Sequence, residues 1–502
     1  MSMPAEHLGA NFTLNNLLEG IVDAPRIPVS GIATDSRKLQ AGNVFFACQG
    51  ATSHGLDFLD QAESAGVAAI VWDSATGTQV ESDLPMIPVE GLAGKIGKIA
   101  DRWFDSPTQS VKVTGVTGTN GKTTVAYLAS QALGLAGQKC GYIGTLGSGI
   151  EEIGGDDSMT TPACVDLHGT IAGFRDAGAA HAAIEVSSHS IEQLRIDGVH
   201  FDSAVFTNLS RDHIDYHGSM QAYFESKASL FLDHDVRNRI ISLDTEYGVE
   251  LANLCGPGAV AVSTHFDGAT NGRPYVFVSA VAANPAGSSI TIDSSWGTAE
   301  MALPLPGDFN ISNAAEVLAL LLCNDVSLDA ACEVLGRVSA PPGRMELANP
   351  PEFQNLPMVY VDYSHTPASI EAALKAIRAH CKGKLWCVFG CGGDRDRGKR
   401  PMMGKVAERL ADHAIVTNDN PRSEPPRQII DDILQGMESD ALAIEDRAEA
   451  IAHAISSAAP DDVVLIAGKG HENYQVIGDK TLSFSDFNSA RDCLLARGAA
   501  GK

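Results

Sequence analysis

The stretch Val111-Lys-Val-Thr-Gly-Val-Thr117 runs directly into Gly118-Thr-Asn-Gly-Lys-Thr-Thr124. The first half is rich in β-branched residues and reads as a strand. Val125, Leu128, Ala129, Ala132 and Leu133 then recur at helical spacing. In a strand, glycine loop and helix arranged this way, loop N–H groups and the positive helix terminus cradle phosphate oxygens. Gly118, Thr119, Asn120, Gly121, Lys122, Thr123 and Thr124 are therefore candidate ATP contacts, with Lys122 neutralising the terminal phosphates and Thr123 holding Mg²⁺. Val116 stands where the strict pattern has its first glycine, so the loop is a variant. A glycine turn that only packs a helix on a sheet would leave Lys122 and both threonines unexplained.

Beyond this loop, strands alternate with helices to about residue 340, which reads as an α/β domain on a mainly parallel sheet. Asp105-Ser-Pro-Thr108 marks a linker before it, and Ala340-Pro-Pro-Gly343 breaks the pattern after it. A second β/α series begins at Met358-Val-Tyr-Val-Asp362. The expected domains are 1–108, 109–340 and 341–502: a smaller N-terminal α/β domain, a central P-loop-type domain and a C-terminal Rossmann-like α/β domain. A length of 502 residues agrees with three domains of about 150 residues each. The Gly/Pro/Ser/Asn stretch from Ala282 to Ser289 is expected to form an exposed turn.

Composition excludes several functions. No apolar run approaches the ~20 residues of a membrane span. With 62 acidic against 36 basic residues the net charge is −26, which repels nucleic acid and anionic lipid, so an anionic ligand must meet a local basic cluster. The start lacks the basic and apolar regions of a secretory signal, and a cytoplasmic protein is expected. Ten cysteines without a Cys-x-x-Cys pair suggest neither a disulfide framework nor a zinc site; Cys387 and Cys391 read as buried reduced thiols.

Gly118-Thr-Asn-Gly-Lys-Thr123 is the form seen in the Mur ligases and the related folylpolyglutamate synthetases, which this chain resembles. Ala182-Ala-Ile-Glu-Val186 followed by Ser187-Ser-His189, and Ala204-Val-Phe-Thr207 followed by Asn208-Leu-Ser-Arg-Asp-His-Ile-Asp-Tyr-His-Gly218, resemble further Mur ligase segments. The resemblance implies that Glu185 and His213 are metal ligands and that Lys227 is carbamylated, which would convert a cation into an oxygen ligand for Mg²⁺. Spacing alone would make Lys227 an ordinary surface lysine beside the apolar face of Phe224, Ala228 and Phe231.

The N-terminal Ala33-Thr-Asp-Ser-Arg37, Gly42-Asn-Val-Phe-Phe-Ala47 and His54-Gly55 resemble the uridine-nucleotide domain of the Mur ligases and argue against the folylpolyglutamate branch. By that resemblance Thr34, Ser36, Ala51, Thr52 and Ser53 face a UDP-sugar. Thr160, Thr161, Ser187, Gln193 and Arg195 match positions that hold its acyl-muramoyl dipeptide. Ala163 and Ser190 are mild departures from the family pattern.

In the C-terminal segment four β-rich runs end in polar loops: Asp362-Tyr-Ser-His-Thr366, Gly390 to Arg400, Asn418-Asp-Asn-Pro-Arg422 and Gly468-Lys-Gly-His-Glu472. A parallel sheet gathers such loops at its carboxyl edge, where ligands bind. Asp419-Asn-Pro-Arg422 resembles the signature of family members that add meso-2,6-diaminopimelate, whose distal carboxylate needs a guanidinium partner. Arg395 and Arg422 would clamp that carboxylate, while Asp419, Asn420, Pro421, Gly468 and Glu472 would take the distal amine and its surroundings. Asn313, Arg344 and Asp362 match nucleotide-contacting segments, with Asn313 also suited to cap a helix ahead of Ala314.

The implied activity is an ATP-dependent amide ligation through an acyl phosphate. It adds meso-2,6-diaminopimelate to the D-glutamyl γ-carboxylate of UDP-N-acetylmuramoyl-L-alanyl-D-glutamate, in peptidoglycan precursor synthesis. The lysine-adding branch and a non-catalytic nucleotide-sensing homologue are the alternatives. The chain is expected to be a monomer that closes about Ala340-Pro-Pro-Gly343.

Overall fold

A computed structural model describes residues 12–50, 53–76, 82–155, 159–265, 270–284, 287–439 and 441–500. Ala51 and Thr52 lie outside the described residues. The chain forms two compact units, one running through Val262 with later returns ending at Tyr275 and Asn324, the other holding most of the remainder.

In the first unit, β1 (Gly31–Ala33), β2 (Asn43–Ala47), β3 (Ala69–Asp73) and β4 (Met86–Val89) form a parallel sheet in that order. Every residue of β2 is buried, as a strand covered on both faces requires. Val44 and Phe46 pack with Leu92, Ile96, Ile99 and Trp103, whereas Phe45 and Ala47 pack with Leu56, Ala62 and Ile70.

The same unit contains β5 (Lys112–Thr117), β6 (Cys140–Gly144), β7 (Gly147–Gly149), β8 (His181–Glu185), β9 (Phe201–Phe206), β10 (Asn238–Ser242) and β11 (Val260–Ser263). Their order is β11-β10-β9-β5-β8-β6-β7, parallel apart from the β7 edge. β5 lies between β8 and β9, so the chain leaves it toward both sides of the sheet. That switch point opens a crevice at the carboxyl end of β5, where the glycine loop begins. The expected linker is clamped rather than loose: Arg175 Nη1 donates to Phe104 O at 2.8 Å and to Asp105 O at 3.2 Å.

The second unit holds an antiparallel set, β12 (Tyr275–Asn284), β13 (Gly287–Ser294) and β14 (Gly297–Leu303). Of the expected turn at 282–289, Ala282 to Asn284 and Gly287 to Ser289 are strand, with Ala282 opposite Ser289, and residues 285 and 286 lie outside the described residues. Next come β15 (Glu346–Leu347), β16 (Met358–Asp362), β17 (Leu385–Phe389), β18 (His413–Val416), β19 (Leu442–Ala443) and β20 (Val463–Ala467), in the order β15-β16-β20-β17-β18-β19. All but the β15 edge are parallel. A short hairpin, β21 (Tyr474–Ile477) with β22 (Lys480–Ser483), follows. Cys387 and Cys391 are free buried thiols, and burial pushes both up to about 12.

One expectation needs correction. Asn313 does not cap a helix: the helix is Asp308–Cys323, so Asn313 lies inside it, buried, with Nδ2 donating to Asn310 Oδ1 at 3.3 Å. The helix begins at Asp308, six residues before the first of its paired alanines, Ala314. Gly343 ends the segment expected to act as a hinge. It has φ +67°, and a Cβ there would meet His471 N at 2.0 Å, so it is packed against the 468–472 loop.

Candidate functional site

At the end of β5 the chain needs two backbone conformations that favour glycine. Gly118 has φ +149° and Gly121 φ +87°, and a Cβ on Gly118 would meet Thr207 Oγ1 at 2.0 Å. The loop is sewn to the end of β9: Thr119 N donates to Asn208 O at 2.9 Å, Asn120 N to Asn208 Oδ1 at 3.0 Å, and Thr207 Oγ1 to Asn120 O at 2.6 Å. Gly121 then starts the helix Lys122–Leu135, whose first turn offers N–H groups with no intrahelical partner. Lys122 Nζ folds back to donate to Gly118 O and Thr119 O at 2.9 and 3.0 Å. The lysine thus lies over the loop carbonyls beside the N–H groups of the helix start, an arrangement suited to a polyphosphate.

Glu185 closes β8 almost fully buried, with both carboxylate oxygens in use. Oε1 accepts from Tyr142 OH at 2.5 Å and Thr145 N at 2.8 Å; Oε2 accepts from Thr123 Oγ1 at 2.9 Å and Thr145 Oγ1 at 3.3 Å. Thr161 Oγ1 donates to Glu185 O at 2.7 Å, and Thr160 Oγ1 lies 3.2 Å from Thr145 Oγ1. This all-oxygen group beside a phosphate loop fits a hard cation such as Mg²⁺. Tyr142 and Thr145 escaped the sequence reading because only the β6–β8 pairing brings them to Glu185.

Lys227 is 1% exposed on the helix Met220–Leu232. Its Nζ lies 4.6 Å from the centre of the Tyr223 ring and makes no hydrogen bond among the described residues. Burial, reinforced by the charge of Lys122, pushes its ammonium well below the usual lysine range. His213 is half-exposed at φ +51°, its ring edge-on to His189 at 4.9 Å and to Tyr223 at 6.1 Å. Tyr223 therefore touches both candidates. Among the described residues, no three His, Cys, Asp or Glu side chains gather to hold a metal.

Of the remaining candidates in this unit, Thr34 ends near β1 and Ser36 opens a short helical turn capped by Asp35, which accepts from Arg37 N. Ser53 O accepts from Gly50 N. Thr161 is fully buried and accepts Arg195 Nη1 on its carbonyl at 2.9 Å. Gln193 Oε1 takes two further donors from Arg195, at 3.1 and 2.5 Å, and Ser187 Oγ caps its own helix by accepting from Ser190 N.

The second unit gathers the diaminopimelate candidates at the carboxyl ends of β17, β18 and β20. Arg422, at φ +53°, donates through Nη1 to Gly393 O at 2.8 Å, and its N bonds Val476 O. Asn420 Nδ2 donates to Glu472 Oε2 at 2.8 Å, Asp419 is buried nearby with Gln475 Nε2 on its carbonyl at 2.7 Å, and Pro421 is buried. A Cβ on Gly468, at φ +125°, would meet Asp419 Oδ2 at 2.7 Å. Arg395 is exposed, with Nη1 on Asp394 O at 3.1 Å. Lys469, passed over in the sequence, is fully buried among them. Asp362 accepts Met345 N at 2.9 Å, and the Arg344 guanidinium lies 4.7 Å from the Tyr363 ring centre.

Two parallel-sheet units, one with a lysine-bearing phosphate loop and one with an arginine–carboxylate pocket, define an ATP-dependent ligase architecture. Family models match over most of the length: the Mur ligase family catalytic domain at residues 28–103, the Mur ligase middle domain at 116–321 and the Mur ligase glutamate ligase domain at 343–470. The chain belongs to the Mur ligase family and has its three-domain α/β fold. The UDP-N-acetylmuramoyl-L-alanyl-D-glutamate–2,6-diaminopimelate ligase of Alkalilimnicola ehrlichii is 43% identical over 93% of this chain and 95% of its own length. The same-named protein of Coxiella burnetii is 42% identical over 93% and 96%. A solved structure of a ligase of that name superposes with TM-score 0.74 at 31% identity, covering 97% of this chain and 99% of the other.

Proposed function

We propose that this protein is an ATP-dependent ligase that joins meso-2,6-diaminopimelate to the D-glutamyl γ-carboxylate of UDP-N-acetylmuramoyl-L-alanyl-D-glutamate. The observation that carries the reading is Arg422, held by Gly393 O beside Asn420 and Glu472, in a chain aligned nearly end to end with ligases of that name. Lysine lacks the distal carboxylate that this guanidinium would meet, and its ammonium would be repelled.

A carboxylate is a poor electrophile until it carries a leaving group. Its oxygen takes the γ-phosphoryl group of ATP, releasing ADP and leaving an acyl phosphate. The free amine of diaminopimelate attacks the carbonyl carbon, the C–O bond to phosphate breaks, and the amine sheds a proton as the amide forms. Lys122 and the first turn of its helix hold the phosphates, so catalysis rests on positioning and charge neutralisation. Thr123 and Glu185 would hold Mg²⁺, which when bound neutralises phosphate charge. His213 and Lys227 would serve a second ion beside the acyl carboxylate. Burial, which pushes the Lys227 ammonium well below the usual lysine range, favours the free amine that attacks CO₂ to become a carbamate, whose oxygens an amine lacks.

Asn313, Arg344 and Asp362 would complete the nucleotide contacts, and Arg395 would join Arg422 on the distal carboxylate. Thr34, Ser36 and Ser53 would face the UDP moiety, with Thr160, Thr161, Ser187, Gln193 and Arg195 toward the dipeptide. The working divisions would be 1–108 for the UDP-binding part, 109–340 for the ATP-binding part and 341–502 for the amino-acid-binding part. The protein would work as a cytoplasmic monomer, where ATP and UDP-linked precursors are available; no helix among the described residues is long and apolar enough to cross a membrane.

Phosphate release measured with the UDP-muramoyl dipeptide, ATP and Mg²⁺ tests the reading. Turnover should require meso-diaminopimelate. A preference for L-lysine would overturn the assignment of the amine pocket, and no turnover with either would favour a nucleotide-sensing homologue.

A further inference from the structure

Lys469 is the one fully buried ammonium in the loop after β20, and it is engaged on three sides. Nζ donates to Glu472 Oε2 at 3.0 Å and Asn420 Oδ1 at 3.1 Å, lies 3.8 Å from Asp419 Oδ1 and sits 5.5 Å from the Tyr474 ring centre. These bonds decide how the neighbouring groups face. Asn420 Oδ1 is saturated by Lys469 and by Val476 N at 2.9 Å, so its amide must present Nδ2 to Glu472. Glu472 Oε2 is likewise saturated, by Asn420 and Lys469. No hydrogen bond among the described residues reaches Glu472 Oε1.

We propose that Lys469 is a positioning residue for the amino-acid substrate: by pinning Asn420 and Glu472 it leaves Glu472 Oε1 as the open acceptor for an ammonium group. The inference rests on the ligase reading above. Two carboxylates, Asp419 and Glu472, lie within reach of one cation, so removing that cation leaves like charges facing each other and frees the Asn420 amide to turn over. A turned amide would set its carbonyl against the Glu472 carboxylate and swing the acceptor away from the substrate. The partners of Lys469 named above all belong to the amine pocket, so the cost should fall on binding of the amino acid.

The experiment is a double-mutant cycle of Lys469→Met and Glu472→Gln, with steady-state kinetics for each substrate and a melting temperature for each variant. Lys469→Met should raise KM for meso-diaminopimelate about tenfold or more, while kcat and KM for ATP stay within about twofold. In the Glu472→Gln background the same change should add less than about threefold, because its target is already altered. Unchanged KM, a loss confined to kcat, or full multiplication of the two effects would overturn the inference. Should Lys469→Met fail to fold, Lys469→Arg keeps the charge but not the fit: KM should rise several-fold at an unchanged melting temperature, and a wild-type KM would overturn the inference. Wild-type enzyme that turns over as well with lysine as with diaminopimelate overturns the ligase reading itself. Wild type that demands diaminopimelate, with a Lys469→Met variant that keeps its KM, overturns only the role of Lys469.

Discussion

The phosphate loop and the amine pocket both occupy carboxyl ends of parallel strands, yet they are held in place by different means. The loop is set by backbone: two glycines at positive φ, main-chain bonds to Asn208, and a lysine folded onto carbonyls three and four residues away. The pocket is set by buried ions joining distant segments, with Lys469 on Glu472 and Asn420, and Arg400 on Glu424 and Asp432. A backbone-built site tolerates loss of a side chain without losing its shape. An ion-built site changes shape when one partner goes, because the other is left buried and uncompensated.

The largest effect should come where shape survives but charge is lost. Lys122→Met is expected to lower kcat by about 10³-fold at a nearly unchanged melting temperature, since transition-state charge on transferring phosphate goes unanswered. Activity within tenfold of wild type would break the contrast at once. Lys227→Ala should cost about 100-fold or more, and excess bicarbonate should not restore it because no amine remains to carry CO₂. Wild-type turnover in that variant would remove the carbamate from the mechanism.

The same contrast explains what the sequence disclosed. Gly118, Gly121, Lys122 and Thr123 fall within six consecutive residues, so their cooperation is written locally, whereas Glu185 was reached only through the resemblance of its segment to the family. Lys469 and Asn420 are 49 residues apart in sequence, and only the adjacency of β17, β18 and β20 makes them neighbours. Lys227 looked like a surface residue because helical spacing reports the helix's own faces, whereas its burial comes from the elements packed around it. Asn313 was misplaced because a polar residue before two alanines imitates a helix start, whereas the helix already begins at Asp308.

In the pocket, effects should be smaller in rate and larger in selectivity. Arg422→Lys is expected to lower the preference for meso-diaminopimelate over lysine by about 10–100-fold. The two-pronged guanidinium is lost while a positive charge remains, so kcat/KM ratios for the two amines report the change more cleanly than total activity. An unchanged ratio would move the selectivity to other groups, Arg395 first among them.

The smallest catalytic effect, and the clearest structural one, belongs to Glu424. Its carboxylate accepts both Arg400 Nη1 at 3.0 Å and Nη2 at 2.7 Å, pairs with Arg397 at 2.8 Å and takes Asp394 N at 2.6 Å. The Arg400 bonds, opposed by burial and aided by the Asp394 N–H, hold it down at about 2, against 4.5 for an ordinary glutamate. A carboxyl depressed in the folded state favours folding at pH values above its unfolded pKa, and that contribution is lost as pH falls from about 4.5 toward 2. Glu424→Gln should therefore lower the melting temperature by about 5 °C at pH 7 and by progressively less as the pH drops through that window. Because Arg400 and Glu424 brace the 390–400 loop against 422–424, KM for diaminopimelate should rise a few-fold while kcat holds. A melting-temperature difference that stays constant from pH 7 to pH 3 would show that shape, not charge, holds this corner, and the contrast between a backbone-built loop and an ion-built pocket would fail there first.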